Sequence, residues 1–175
     1  ANVLARVDRV ADAAEIIERL LVKEPDRADL RAVLSGLKLK LRDSMGAEIE
    51  ARRAIDLDNS IPEAHLNLAL VLCENSRIEE ALVACEAAIS VDNGFATAHF
   101  TSGNVHLALG HHTAAMEAYN KVLELEPEHA GALLNLGNIY RDHLDISTAG
   151  AYYERAAAAA PDSAAAHSNL GIVLK

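Results

Sequence analysis

The sequence predicts an all-α chain in which antiparallel helix pairs stack as a solenoid. Ladders of residues that climb in steps of 34 carry that prediction. Ala13, Ala47, Ala81, Ala115 and Ala149 form one, with no insertion along the chain. Pro25, Asn59, Asn93, Pro127 and Pro161 form another, and all are residues that stop a helix or make a turn. Ser35, Ala69, Gly103, Gly137 and Gly171 form a third in which every side chain is small. Leu34, Leu68, Leu136 and Leu170 add an apolar ladder broken only by Ser102. Small, apolar and helix-breaking properties thus share one period and one phase.

Composition agrees with helices packed through small residues. Of 175 residues 51% are apolar, much of that Ala, while aromatics make up 3% with no Trp. Nine Gly and four Pro are too few for the turn density of an all-β chain.

The elements follow in order. Residues 1–27 hold the tail of one helix and a full second helix. Full repeats run 28–61, 62–95, 96–129 and 130–163, each a helix, a turn and a helix, and 164–175 holds most of a further first helix. In the fourth repeat Leu133, Leu136, Gly137 and Tyr140 make the apolar stripe of the first helix. Ala149, Tyr153, Ala156 and Ala157 make that of the second, and Pro161 with Asp162 closes it. A single pair cannot bury its own face, so stability must come from stacked neighbours. The repeat starting at Ala28, with Arg31, Ser35, Lys38 and Ala51, keeps the pattern least well and is expected to be the loosest packed.

Leu133, Leu136, Gly137, Tyr140, Ala149, Tyr153, Ala156 and Pro161 match the eight signature positions of the tetratricopeptide repeat (TPR). The chain resembles a TPR array over essentially all its length. His65, His99 and His167 depart from the pattern by replacing the large first residue, as does Arg31. The resemblance implies a right-handed superhelix whose inner wall is made by the first helix of each pair. It also assigns positions 2, 5, 6, 9, 12 and 13 of each repeat to that wall, and a peptide-recognition role to it.

Read at those positions, the wall alternates amides with apolar patches: Asn67 and Leu70, then Phe100, Thr101 and Asn104, then Leu134, Asn135, Asn138 and Arg141, then Asn169. Asn carries both a donor and an acceptor, so a row of them can read the backbone of an extended peptide while Leu and Phe take its apolar side chains. On this reading the asparagines serve binding and leave stability little changed. The row is similar to the asparagine ladder in the TPR arm of O-GlcNAc transferases. That likeness implies an alternative, a substrate-recognition arm of a larger glycosyltransferase whose catalytic domain lies outside this chain. Carboxylate-clamp TPRs need a cation where Leu66, Leu70 and Phe100 stand, which argues against an acidic chaperone tail.

Other functions are excluded or given little weight. A net charge of −10 offers no basic field for nucleic acid. No run approaches the roughly 18 apolar residues of a membrane span. No Gly-rich phosphate motif occurs, and His111, His112 and His143 lack zinc-site spacing. No catalytic residue, metal site or cofactor is predicted, and the acidic clusters Glu79, Glu80, Glu86 and Glu124, Glu126, Glu128 read as a solvated outer face. Cys73 and Cys85 read as reduced thiols, and the cytoplasm is the expected compartment. Ala165, Leu170, Ile172, Val173 and Leu174 leave the last helix apolar on more than one side. From this the chain is expected to be a section of a longer array whose open helix ends can self-associate.

Overall fold

The structure, a computed structural model, describes residues 2–173, with side-chain surroundings given from residue 9 onward. Ten helices follow one another: α1 (Asn2–Lys23), α2 (Ala28–Lys40), α3 (Ser44–Leu57), α4 (Pro62–Glu74), α5 (Ile78–Val91), α6 (Ala96–Ala108), α7 (His112–Leu125), α8 (Ala130–Asp142), α9 (Ile146–Ala159) and α10 (Ala164–Val173). No strand occurs among the described residues. The first helices of successive pairs begin at 28, 62, 96, 130 and 164, a step of 34. The fold is the all-α repeat array that the ladders predict. The chain divides into two compact units, one ending at Thr101 and one beginning at Ser102.

Each turn inside a pair is built the same way. Arg42, Ser76, Gly110 and Leu144, again 34 apart, take positive φ of 63°, 60°, 75° and 65°. Around each of them the first helix ends in a Schellman motif. Beside Leu144, for example, the Leu144 N–H donates to the Arg141 carbonyl at 2.9 Å and the Asp145 N–H to the Tyr140 carbonyl at 2.9 Å. The second helix then starts on a side-chain cap in two cases: Asp43 accepts from the Gly46 N–H and Asp145 from the Thr148 N–H.

The turns between pairs are also locked at one recurring place. Arg31, His65, His99 and His167 each donate to the carbonyl six residues back, that of Pro25, Asn59, Asn93 and Pro161 respectively, at 2.6 to 3.0 Å. These acceptors are the breaker ladder itself. In the repeat where Leu133 takes that place, the Pro127 carbonyl accepts from Arg155 instead. The departures from the family pattern therefore exchange apolar packing for a bond that fixes the helix entry.

In the first unit the Ala28 repeat has fewer buried residues than the repeat that follows it, and polar contacts tie it together. Arg31 pairs with Glu50 at 2.6 Å with both side chains nearly covered (12% and 13% exposed). The buried Ser35 hydroxyl donates to the Ala47 carbonyl at 2.9 Å, and Ala32, Leu34, Ala51 and Ala54 are buried around it. On the exposed side Arg77 bridges Glu48 and Glu80. In the second unit Leu133, Ala156, Ala157 and Ala166 form one core cluster. The Ala ladder members 47, 81, 115 and 149 are all fully buried.

Candidate functional site

The first unit holds a cleft of about 420 Å³ between α2 and α4. Its lining includes Ala32, Val33, Gly36 and Lys40 from α2 and Glu63 and Asn67 from α4, all at wall positions of their repeats. The cleft exists because position 9 of that repeat is Gly36, where the next repeat carries Leu70. Val33 stands 52% exposed at its edge. Asn67 closes one side and donates its Nδ2 to the Ala32 carbonyl at 2.9 Å, tying α4 to α2. Asp29 lies at the mouth, where the Arg27 guanidinium holds its carboxyl down at about 2. Gly36 and Lys40 escaped the sequence reading because that reading followed the asparagines, and this repeat has none on its first helix.

Of the other residues assigned to the wall in this unit, Leu70 is exposed and Phe100 half-buried. Thr101 is only 5% exposed, and its hydroxyl donates to the Thr97 carbonyl at 2.8 Å. It offers a ligand little.

In the second unit the asparagines are brought together, but around tyrosines. The Tyr119 hydroxyl donates to Asn104 Oδ1 at 2.8 Å, and Asn135 Nδ2 donates both to Asn104 Oδ1 and to the Tyr119 oxygen at 3.0 Å. One repeat later Tyr153 donates to Asn138 Oδ1 at 2.9 Å, and Asn169 Nδ2 donates to the same oxygen at 3.1 Å. Each cluster joins a second helix, its own first helix and the first helix of the following repeat. Burial pushes the Tyr119 phenol up to about 12, against a smaller opposing effect of the Asn135 bond. The expectation that these amides are free to read a peptide therefore needs correction: half of each amide is committed to holding repeats together. Asn104 stays exposed, and Asn135, Asn138 and Asn169 half-exposed beside half-buried Leu134. Arg141 also lies at this wall, held by Asp142 at 2.9 Å. Lys175 and Leu174 lie outside the described residues.

His112 and His143 touch edge to face with centroids 5.6 Å apart, yet no group of three His, Cys, Asp or Glu among the described residues is placed to hold a metal ion. Cys85 is fully buried, and burial pushes its thiol up to about 12. Burial raises the Cys73 thiol as well. No helix among the described residues is long and apolar enough to cross a membrane.

The tetratricopeptide repeat family model matches residues 37–94, 100–164 and 136–174. Among solved structures, pilF of Pseudomonas aeruginosa is similar at 19% identity and TM-score 0.83, covering 97% of this chain and 83% of that one. YrrB, described as a TPR protein with an unusual peptide-binding site, is similar at 20% identity and TM-score 0.74, covering 95% and 86%. MamA is similar at 21% identity and TM-score 0.76, covering 83% and 85%. No curated protein sequence matches the chain.

Proposed function

Given that the chain belongs to the tetratricopeptide repeat family, we propose that it is a non-catalytic interaction protein that binds an extended or partly helical peptide segment along its first helices. The cleft over Gly36 carries this reading. It is an apolar recess on the wall, floored by Ala32 and Leu37, with Glu63 and Lys40 in its lining. An apolar side chain of a peptide fits there, with the polar groups left to orient its backbone. In the second unit Asn104, Asn135, Asn138, Asn169 and Arg141 keep partly exposed polar atoms along the same positions. The peptide-binding site of YrrB supports a peptide ligand for an array of this kind. The two free thiols, neither in a disulfide, fit a reducing compartment such as the cytoplasm. The glycosyltransferase-arm alternative rests on the same asparagine row, in which one atom of each second-unit amide is committed to holding repeats together.

The test is to pan a random-peptide display library against the wild type and against Gly36→Leu. Leu is the natural residue at this position of the next repeat, and here it fills the recess, with a Cβ 3.3 Å from Asn67 Nδ2 so that the Asn67 side chain has to give slightly. We expect peptides with a shared apolar anchor that lose binding to Gly36→Leu. Enrichment of no peptide, or of peptides that bind Gly36→Leu as well as wild type, overturns the reading.

A further inference from the structure

The cleft over Gly36 carries opposite charge at its two ends. α2 and α4 are equivalent helices of successive repeats and run the same way. Asp29 and Glu63, each second in its repeat, therefore lie at one end of the lining and Lys40, thirteenth in its repeat, at the other. The helix ends favour this order, since an acid is stabilised in a first turn and a base in a last turn. Most charges around the cleft are already paired: Lys38 is held by Glu18 and Asp43, Arg42 by Glu74, and Asp29 by Arg27. Glu63 and Lys40 are exposed and have no charged partner among the described residues. Asn67 adds an acceptor between them. Its Nδ2 is committed to the Ala32 carbonyl, while its Oδ1, 3.6 Å from the Cβ point over Gly36, accepts no hydrogen bond among the described residues.

Resting on the peptide reading, we propose that the ligand of this cleft is an extended segment with charges of both signs: a Lys or Arg set against Glu63, an apolar side chain over Gly36, and an Asp or Glu against Lys40. Eleven residues of helix at a rise of about 1.5 Å put the two ends roughly 16 Å apart. An extended chain covers that distance in about five residues. Gly36 lies four residues from Lys40 and seven from Asp29, which sets the apolar anchor about two residues from the acid and about three from the base. The Asn67 oxygen takes a peptide N–H beside the anchor. A segment charged with one sign throughout meets a like charge at one end of the cleft and is disfavoured.

Peptides panned from a random library on the wild type are sequenced, and the strongest is titrated by fluorescence anisotropy against wild type, Lys40→Glu and Glu63→Lys. We expect the apolar anchor to carry a base on its longer flank and an acid on its shorter one. Each reversal, at an exposed position, is expected to weaken that peptide about fivefold at low ionic strength, the size of an exposed ion pair. Salt at about 1 M, where charges are screened within about 3 Å, is expected to erase the difference. Panning on Lys40→Glu is expected to keep the anchor and replace the acid with a second base. Peptides that lose binding to Gly36→Leu yet show no charge preference at the flanks, or bind both reversals as tightly as wild type, overturn the charge assignment and leave the peptide reading standing. Enrichment of no peptide, or only of peptides indifferent to Gly36→Leu, overturns both. Circular dichroism checks the fold of each variant. Lys40→Gln or Glu63→Gln, expected to weaken binding about twofold, replaces a reversal that unfolds.

Discussion

Gly137 and Tyr153 form one packed pair: a Cβ added to Gly137 would lie 2.5 Å from the Tyr153 ring. The same relation holds for Gly103 and Tyr119. Where the second-helix residue is Cys85 the first-helix residue is Ala69, and where it is Ala51 the partner is Ser35. A large ring thus sits on a bare backbone, and a small side chain faces a residue with a Cβ. Gly137→Ala is expected to cost about 1–3 kcal/mol by overpacking. Adding Tyr153→Cys, which copies the Ala69 and Cys85 pair, recovers part of that loss. A double-mutant cycle by urea unfolding reads the coupling, and strict additivity counts against the pairing.

The asparagine clusters make stability and binding inseparable in the second unit. Asn138→Ala removes the acceptor of the Tyr153 hydroxyl and of Asn169, and Asn135→Ala leaves Tyr119 with one partner fewer. The double variant is expected to lose on the order of 1–3 kcal/mol. Calorimetry measures it, and an unchanged thermal midpoint would return these side chains to a purely ligand-facing role.

Tyr119 adds an alkaline dependence of defined sign. Its folded phenol titrates near 12 against an ordinary 10.0, because burial disfavours the phenolate. The neutral form is thus favoured in the folded chain. The stability this contributes is complete below the unfolded value and is lost as pH rises from about 10 to 12. Tyr119→Phe is expected to flatten the fall of the thermal midpoint across that window while lowering the midpoint at neutral pH. Equal slopes for variant and wild type refute the assignment.

Leu144 holds φ at 65° with its side chain 84% exposed. It carries the steric cost of the left-handed region, roughly 1–2 kcal/mol, and nothing buried offsets it. Gly110 occupies the equivalent turn without that cost. Leu144→Gly is expected to stabilise the second unit by up to about 1 kcal/mol once the entropy of the added glycine is subtracted. Denaturant midpoints decide it, and destabilisation shows that the turn needs its leucine.

The repeat was legible along the bare chain, because a 34-residue period imposes the same local requirements again and again: a breaker to end a helix, a small residue at a crossing, an apolar stripe to bury. Each requirement is met by one residue type at one position, and such properties are visible without any neighbour in place. The same reading put Asn67, Asn135 and Asn169 at one repeat position and Asn104 and Asn138 at another, both on the same wall. That half of each second-unit amide holds repeats together was decided by packing. Whether Asn135 meets a peptide or the Tyr119 hydroxyl depends on how far a ring from the preceding second helix reaches, and that reach is set by Gly103 beneath it. A trace of this was present in the sequence, since Tyr119 and Tyr153 occur only in the repeats that also carry Gly and Asn side by side on the first helix and Asn on the next. The cleft at Gly36 was hidden for the opposite reason: it is made by a side chain that is missing, and an absence acquires shape only when the neighbouring helix is in place.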